Sequence, residues 1–152
     1  MMRRSPYGFS VDLELDVDQA DAKVRDLLKE EGFGVLTEID VRKTLKAKLD
    51  VEFREYRILG ACNPPLAYRA LQAEPAIGLL LPCNVVVEAR PDGGSTVSFL
   101  DPLAALTMSG NADLREIAVD ASERLMRVAT VLSGSSESRE PHAEEVVRDG
   151  IR

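Results

Sequence analysis

The sequence is poor in the residues that build most catalytic and metal sites: its 152 residues include one His, two Cys and no Trp. Histidine-rich zinc and iron sites are therefore excluded by count. The single imidazole, His142, falls in a polar C-terminal segment, a poor position for a Cys-His or Ser-His-Asp apparatus that needs rigid hydrogen-bond geometry. Aromatic residues make up only 5% of the chain, so its core is expected to be aliphatic.

Further absences restrict the class of protein. The basic N-terminus is followed by Ser5-Pro6-Tyr7 and not by the apolar run of a signal peptide. The uncharged stretch at residues 75–87 is too short for a membrane helix, which needs about 20 residues. No GxxxxGK[ST] or GxGxxG motif is present to cradle a nucleotide phosphate. We therefore expect a cytoplasmic protein without a membrane segment or a cofactor, in which the cysteines are reduced thiols.

The balance of charge is acidic, with a formal net charge of −7 and a pI near 4.8. Such a surface repels phosphate backbones and anionic bilayers, so neither a nucleic acid nor a membrane is expected as a partner. One short segment is instead basic, with Arg42, Lys43, Lys46 and Lys48. We interpret it as a solvated helix face, and the alternative is an anion or partner site.

The spacing of apolar residues predicts five strands and four helices. Strands are predicted at residues 7–15, 33–39, 53–61, 84–90 and 96–100, and a Pro-Asp-Gly-Gly turn joins the last two. Helices are predicted after four capping residues, Asp16, Asp40, Asn63 and Asn111, the third of them with Pro64 in its first turn. The pair Asp101-Pro102 is expected to end the last strand.

The predicted order is β-α-β-α-β-α-β-β-α. Because the terminal hairpin requires an antiparallel pair, this order favours an α+β fold: one domain over residues 1–133, with a mixed or antiparallel sheet of about five strands and helices on one face. Residues 134–152 are polar and mixed in charge, and we interpret them as a flexible tail.

Two Cys-Asn pairs, Cys62-Asn63 and Cys83-Asn84, are the main candidates for chemistry. Cys62 precedes a predicted helix start, where free N–H groups and the helix dipole favour a thiolate that could act as a nucleophile, a redox thiol or a soft-metal ligand. A spacing of 21 residues between the cysteines matches no known metal pattern. The alternative interpretation is that both are small buried hydrophobic residues.

Carboxylates give a weaker signal. General acid–base chemistry would need two facing acids, such as Glu88 with Glu52 or Glu55, and no local spacing indicates such a pair. Asp101 is expected to be a turn residue. The uncharged segments 75–87 and 102–112 would form an apolar patch, suited to a dimer interface or a ligand groove, if any part stays exposed.

Four segments resemble the bacterial and archaeal family called "domain of unknown function 302". They are residues 32–41 (GFGVLTEIDV), 56–64 (YRILGACNP) and 74–87 (EPAIGLLLPCNVVV), together with Asp101-Pro102, and the likeness spans about residues 7–133. The resemblance implies a compact α+β fold with a curved, mostly antiparallel sheet of the TATA-binding-protein-like type, and members of the family can form homodimers. It supplies no reaction, cofactor or catalytic residue, and the likeness of fold does not license DNA binding.

From these patterns we expect a non-enzymatic, homodimeric module that binds a small ligand or a protein partner. Candidate ligand-binding or redox residues are Cys62, Asn63, Cys83, Asn84 and Asp101. The alternative hypothesis is a thiol-dependent redox or soft-metal protein, with Cys62 and Cys83 as the metal ligands if there is a metal. An enzyme with a carboxylate-centred site is a third option.

Overall fold

The computed structural model describes residues 2–139, and of residues 135–139 it describes the backbone alone. Six strands lie in this part of the chain: β1 (Met2–Ser5), β2 (Gly8–Leu13), β3 (Gly34–Asp40), β4 (Tyr56–Cys62), β5 (Cys83–Ala89) and β6 (Ser95–Leu100). Its α-helices are α1 (Val17–Glu30), α2 (Val41–Leu49), α3 (Pro64–Ala73), α4 (Pro102–Thr107) and α5 (Arg115–Arg139). Short 3₁₀ helices span Pro75–Leu80 and Ala112–Leu114.

The strands form one antiparallel sheet in the order β1-β2-β6-β5-β4-β3. The predicted α+β class and the antiparallel sheet are thereby confirmed. Alternate residues of the central strands point to one buried face, as the period of two requires. That face carries Phe9 and Val11 from β2, Val97 and Phe99 from β6, Val85 and Val87 from β5, and Leu59 from β4.

Helices α1 and α5 cover the buried face. The N-terminus of α1 is fixed by a capping box: Gln19 N–H donates to Asp16 Oδ1 at 2.8 Å, and Asp16 N–H donates to Gln19 Oε1 at 3.0 Å. The apolar face of α1 then buries Val17, Ala20, Val24 and Leu28. Helix α5 buries an apolar stripe that includes Leu125. The core therefore lies between the sheet and these two helices.

The other face of the sheet carries Ile39, Ile58, Val86, Ser98 and Ser10, which lie opposite one another on five neighbouring strands. We call this surface the open face. On the polar side of the open face, the hydroxyls of Ser10 and Ser98 form a 2.8 Å hydrogen bond. Its apolar side is only half-buried, and Ile39 is 49% exposed.

One strand and one α-helix were not predicted. Residues 2–5 form β1, which pairs with β2 as a hairpin, so the sheet has six strands where about five were expected. Asp101-Pro102 does end β6, but it also starts α4, because Asp101 Oδ1 accepts the N–H of Leu103 at 3.0 Å and Pro102 occupies the first helical position. Helix α4 has six residues, too few to show a helical period.

The C-terminal helix also differs from its predicted bounds. Asn111 caps a 3₁₀ turn, and α5 itself starts at Arg115 and continues to Arg139, into the segment that we predicted to be a tail. The remainder of that segment, residues 140–152 with His142, lies outside the described residues. Within residues 2–139 no helix combines the length and hydropathy needed to cross a bilayer.

Candidate functional site

A cavity of about 310 Å³ opens where β4 ends and β5 begins. Its walls come from β3, β4, β5, α3, the 3₁₀ helix Pro75–Leu80, α4 and α5, and they include Leu66, Leu106 and Ile117. Both cysteines, Cys62 and Cys83, line it, whereas no charged residue does. The cavity is therefore an apolar site whose lining includes two cysteine side chains.

The turn from β4 into α3 shapes one side of the cavity. Asn63 is buried, its Oδ1 accepts the N–H of Leu66 at 3.2 Å, and its amide donates to the carbonyl of Glu31 at 3.4 Å. This confirms the predicted N-cap with Pro64 in the first turn. Because the cap fixes the direction of α3, Leu66 and Ala70 of that helix are held against the cavity.

A glycine lets a second wall approach closely. A Cβ on Gly60 would lie 2.8 Å from Cγ of Pro82 and closer still to Oγ1 of Thr37, which is nearer than real Cβ atoms come to a neighbour. With no side chain at Gly60, Pro82 and Thr37 can pack over β4 and contribute to the lining.

The two cysteines are free thiols on neighbouring strands. Cys83 lies opposite Ala61, the residue before Cys62, so the two cysteines are one register position apart on β4 and β5. Burial raises the pKa of the Cys62 thiol. Burial and then the nearby charge of an ionised Cys62 raise the pKa of Cys83 to about 11. Both side chains are consequently neutral thiols at neutral pH.

The expectation that the helix start would favour a thiolate at Cys62 is wrong. Pro64 and Pro65 occupy the first two positions of α3 and have no N–H to offer. The next two N–H groups, of Leu66 and Ala67, donate to the side chain and the carbonyl of Asn63. With these donors absent or engaged, burial decides the pKa of Cys62.

The other candidate residues do not line this cavity. Asn84 is exposed on the side of the open face, where it lies opposite Gly60 in the register. Asp101 caps α4 and accepts a 2.8 Å hydrogen bond from the hydroxyl of Ser122. The structure therefore brings together Cys62, Asn63 and Cys83, and it separates Asn84 and Asp101 from them.

The acids considered for a carboxylate site are likewise apart. Each lies against a different basic side chain: Glu88 against Arg54 at 2.9 Å, Glu52 against Lys46 at 2.9 Å, and Glu55 against Arg57 at 3.7 Å. Because the three acids contact three different basic side chains and not one another, they form no pair of facing acids for general acid–base chemistry. In the described part of the chain, no three His, Cys, Asp or Glu residues are grouped as metal ligands.

The basic segment Val41–Leu49 is helix α2, which buries none of its residues. Lys46 pairs with Asp50 at 2.8 Å and with Glu52 at 2.9 Å. These contacts agree with a solvated face.

Sequence reasoning missed most of the cavity wall, because its aliphatic residues come from distant segments. A partial signal existed in the two uncharged stretches. Segment 75–87 supplies Leu81 and Pro82, and segment 102–112 supplies Pro102 and Leu106. What the sequence could not show is that both stretches meet at α3.

This chain matches none of the curated proteins. A crystal structure titled "uncharacterized conserved protein DUF302 from Bacillus stearothermophilus" is similar, with 29% sequence identity and a TM-score of 0.77. The match covers 84% of this chain and 99% of that one. The family model "Domain of unknown function DUF302" matches residues 9–132, and the chain belongs to this family.

Proposed function

We propose that this chain is a non-enzymatic module that holds a small ligand in the cavity beside Cys62 and Cys83. The observation that carries the proposal is the cavity itself, whose volume of about 310 Å³ and apolar lining suit a small-molecule site. Its lining contains no carboxylate, imidazole or basic group that could move a proton. Such a site can remove a ligand from water but offers no group for acid–base catalysis. Ligand binding is therefore favoured over catalysis.

A melting-temperature screen against a chemically varied library tests this proposal. A ligand that binds only the native state at 100 times its Kd adds about 2.7 kcal/mol of stability. The variant Ala67→Phe fills the cavity from a partly exposed position of α3, and Gln72→Phe places the same ring on the exposed side of that helix. We expect some compounds to raise the melting temperature of the wild type and Gln72→Phe but not of Ala67→Phe.

Two results would count against ligand binding in the cavity. One is a varied library in which no compound stabilises the wild-type protein. The other is a set of stabilising compounds that act equally on Ala67→Phe, since their site would then lie elsewhere.

We further propose that the protein is a homodimer that pairs through the open face. Ile58 and Val86 are half-buried there beside the exposed Ile39, and a dimer would remove this apolar surface from water. Six strands of about six residues form a face of roughly 24 by 20 Å. A stable interface takes about 800 Å² from each partner, so flanking residues must contribute as well.

Sedimentation equilibrium tests the dimer. The expected mass is twice the 16.6 kDa of one chain, and Val86→Lys should reduce it to that of a monomer by burying a charge in the interface. Leu79→Lys is the control, because Leu79 is 88% exposed and belongs to the 3₁₀ helix Pro75–Leu80 and not to a strand of the open face. A monomeric wild-type protein at tens of micromolar would contradict this part of the proposal.

A thiol-dependent redox or soft-metal function is the second candidate, and the observation that favours it is that both cysteines line one cavity. The raised pKa values oppose it, since thiolates are the reactive and metal-binding form. Thiol titration of the folded protein, with and without Cu(I), distinguishes this thiol-dependent function from the binding of a small ligand. Rapid reaction of both thiols that Cu(I) suppresses would support the second candidate.

A further inference from the structure

We infer that the cavity selects neutral, largely hydrocarbon molecules of about twelve non-hydrogen atoms and rejects charged molecules of the same shape. The inference rests on the function proposed above and names the class of ligand. It follows from three features of the wall: its volume, its lack of charge and the small number of polar groups still free to bind.

The volume sets the size of the ligand. An apolar protein cavity of about 150 Å³ holds one benzene molecule. At the same packing, the 310 Å³ of this cavity hold about twice as many atoms, which corresponds to a two-ring compound or a short aliphatic chain.

The absence of charged side chains from the cavity lining determines the polarity of the ligand. A carboxylate or an ammonium group brought into this cavity would lose its hydration and would meet no charged side chain of the lining. An ionised group that is buried without a partner is strongly disfavoured. The two cysteines do not change this, because their raised pKa values keep them protonated at neutral pH.

The cavity lining offers a ligand only a few polar side chains, those of Thr37, Cys62, Asn63 and Cys83. The Asn63 side chain already accepts from Leu66 and donates to Glu31. Thiols are weak donors and weak acceptors. The hydroxyl of Thr37 remains, at an exposed position of β3 that lines the cavity. A neutral alcohol or carbonyl group fits such a wall, whereas a molecule with several strong donors would leave them unsatisfied.

The mouth of the cavity is apolar too. Leu36, 67% exposed, and Leu71, 42% exposed, both belong to the lining. Leu36 lies at a register shift in β3, between Val35 and Thr37. A hydrocarbon ligand therefore meets leucine side chains as it enters, and these are the residues at which a charge can be introduced without disturbing the buried core.

Three probes of one shape test the inference by isothermal titration calorimetry at pH 7: 2-naphthalenemethanol, 2-naphthoate and 2-naphthylmethylammonium. We expect the alcohol to bind at least 100-fold more tightly than either ion. Ala67→Phe should abolish its binding and Gln72→Phe should preserve it. Leu71→Lys should narrow the preference for the alcohol over the carboxylate at least tenfold, and Gln72→Lys, one position further along α3, should leave the preference unchanged.

The possible outcomes separate this inference from the function on which it rests. If an ion binds as tightly as the alcohol and Ala67→Phe abolishes that binding, the cavity is a ligand site but the inference is wrong. If none of the three probes binds, the inference is also wrong, and the wider melting-temperature screen decides whether the cavity holds a ligand of another class.

Discussion

Replacing Cys83 with alanine should make the protein less sensitive to alkaline pH. Cys83 is 8% exposed, and its pKa rises from an ordinary value of 9.0 to about 11, first because of burial and then because of the charge of Cys62. The folded state therefore holds this proton more tightly than the unfolded chain does. Stability from this group is fully present below pH 9 and is lost as the pH rises from 9 through 11.

The size of the effect follows from the shift. Two pKa units correspond to about 2.7 kcal/mol of unfolding free energy, of which about 1.3 kcal/mol is lost between pH 8 and pH 10. The alanine variant loses the side chain's packing at every pH, so its stability is lower throughout. The effect of the buried thiol is therefore measured by how the difference in unfolding free energy between the wild type and the alanine variant changes with pH.

Urea unfolding of the wild type and Cys83→Ala at pH 8, 9 and 10 measures this difference. Tyrosine and lysine titrations are common to both proteins and cancel in the comparison. The wild type should lose about 1.3 kcal/mol more than Cys83→Ala over this range. Equal losses in the two proteins would refute the view that Cys83 is a buried, protonated part of the cavity wall.

Three further substitutions test how β4, α1 and α3 are held in the fold. Gly60→Ala should cost about 2 kcal/mol in denaturant unfolding, because its Cβ would overlap side chains packed over β4; an unchanged stability would show that this wall can move. Asp21→Asn should cost about 2 kcal/mol, because a buried carboxylate that binds two guanidinium groups is lost, whereas the exposed Asp26→Asn should change stability by less than about 0.5 kcal/mol. Asn63→Ala should cost about 1–2 kcal/mol through loss of the cap of α3, and Asn84→Ala, exposed on the sheet, should be close to neutral in the same assay.

Local signals in the sequence were sufficient for most of the fold. Asp16, Asp40 and Asn63 each cap the helix that was predicted to follow them, because capping depends on a side chain and the N–H groups two or three residues later. Helix α4 and strand β1 were missed because they contain six and four residues, and neither is long enough to show a period.

The candidate site was predictable only in part. Cys62, Asn63 and Cys83 were identified from their types and positions, and all three line one cavity. The protonation of Cys62 was predicted wrongly, although Pro64 and Pro65 could have corrected it, since neither residue has an N–H to stabilise an anion. The cavity wall itself depends on packing between distant segments, which no local pattern reports.

The central claim is that the apolar cavity beside the cysteines, and not the open face, receives the ligand. Methyl-resolved NMR of leucine and valine residues during a titration with 2-naphthalenemethanol tests it most directly. We predict shifts at Leu66, Leu71 and Leu106, which line the cavity, and none at Val86 on the open face. Shifts centred on Val86, with the cavity leucines unchanged, would contradict the account.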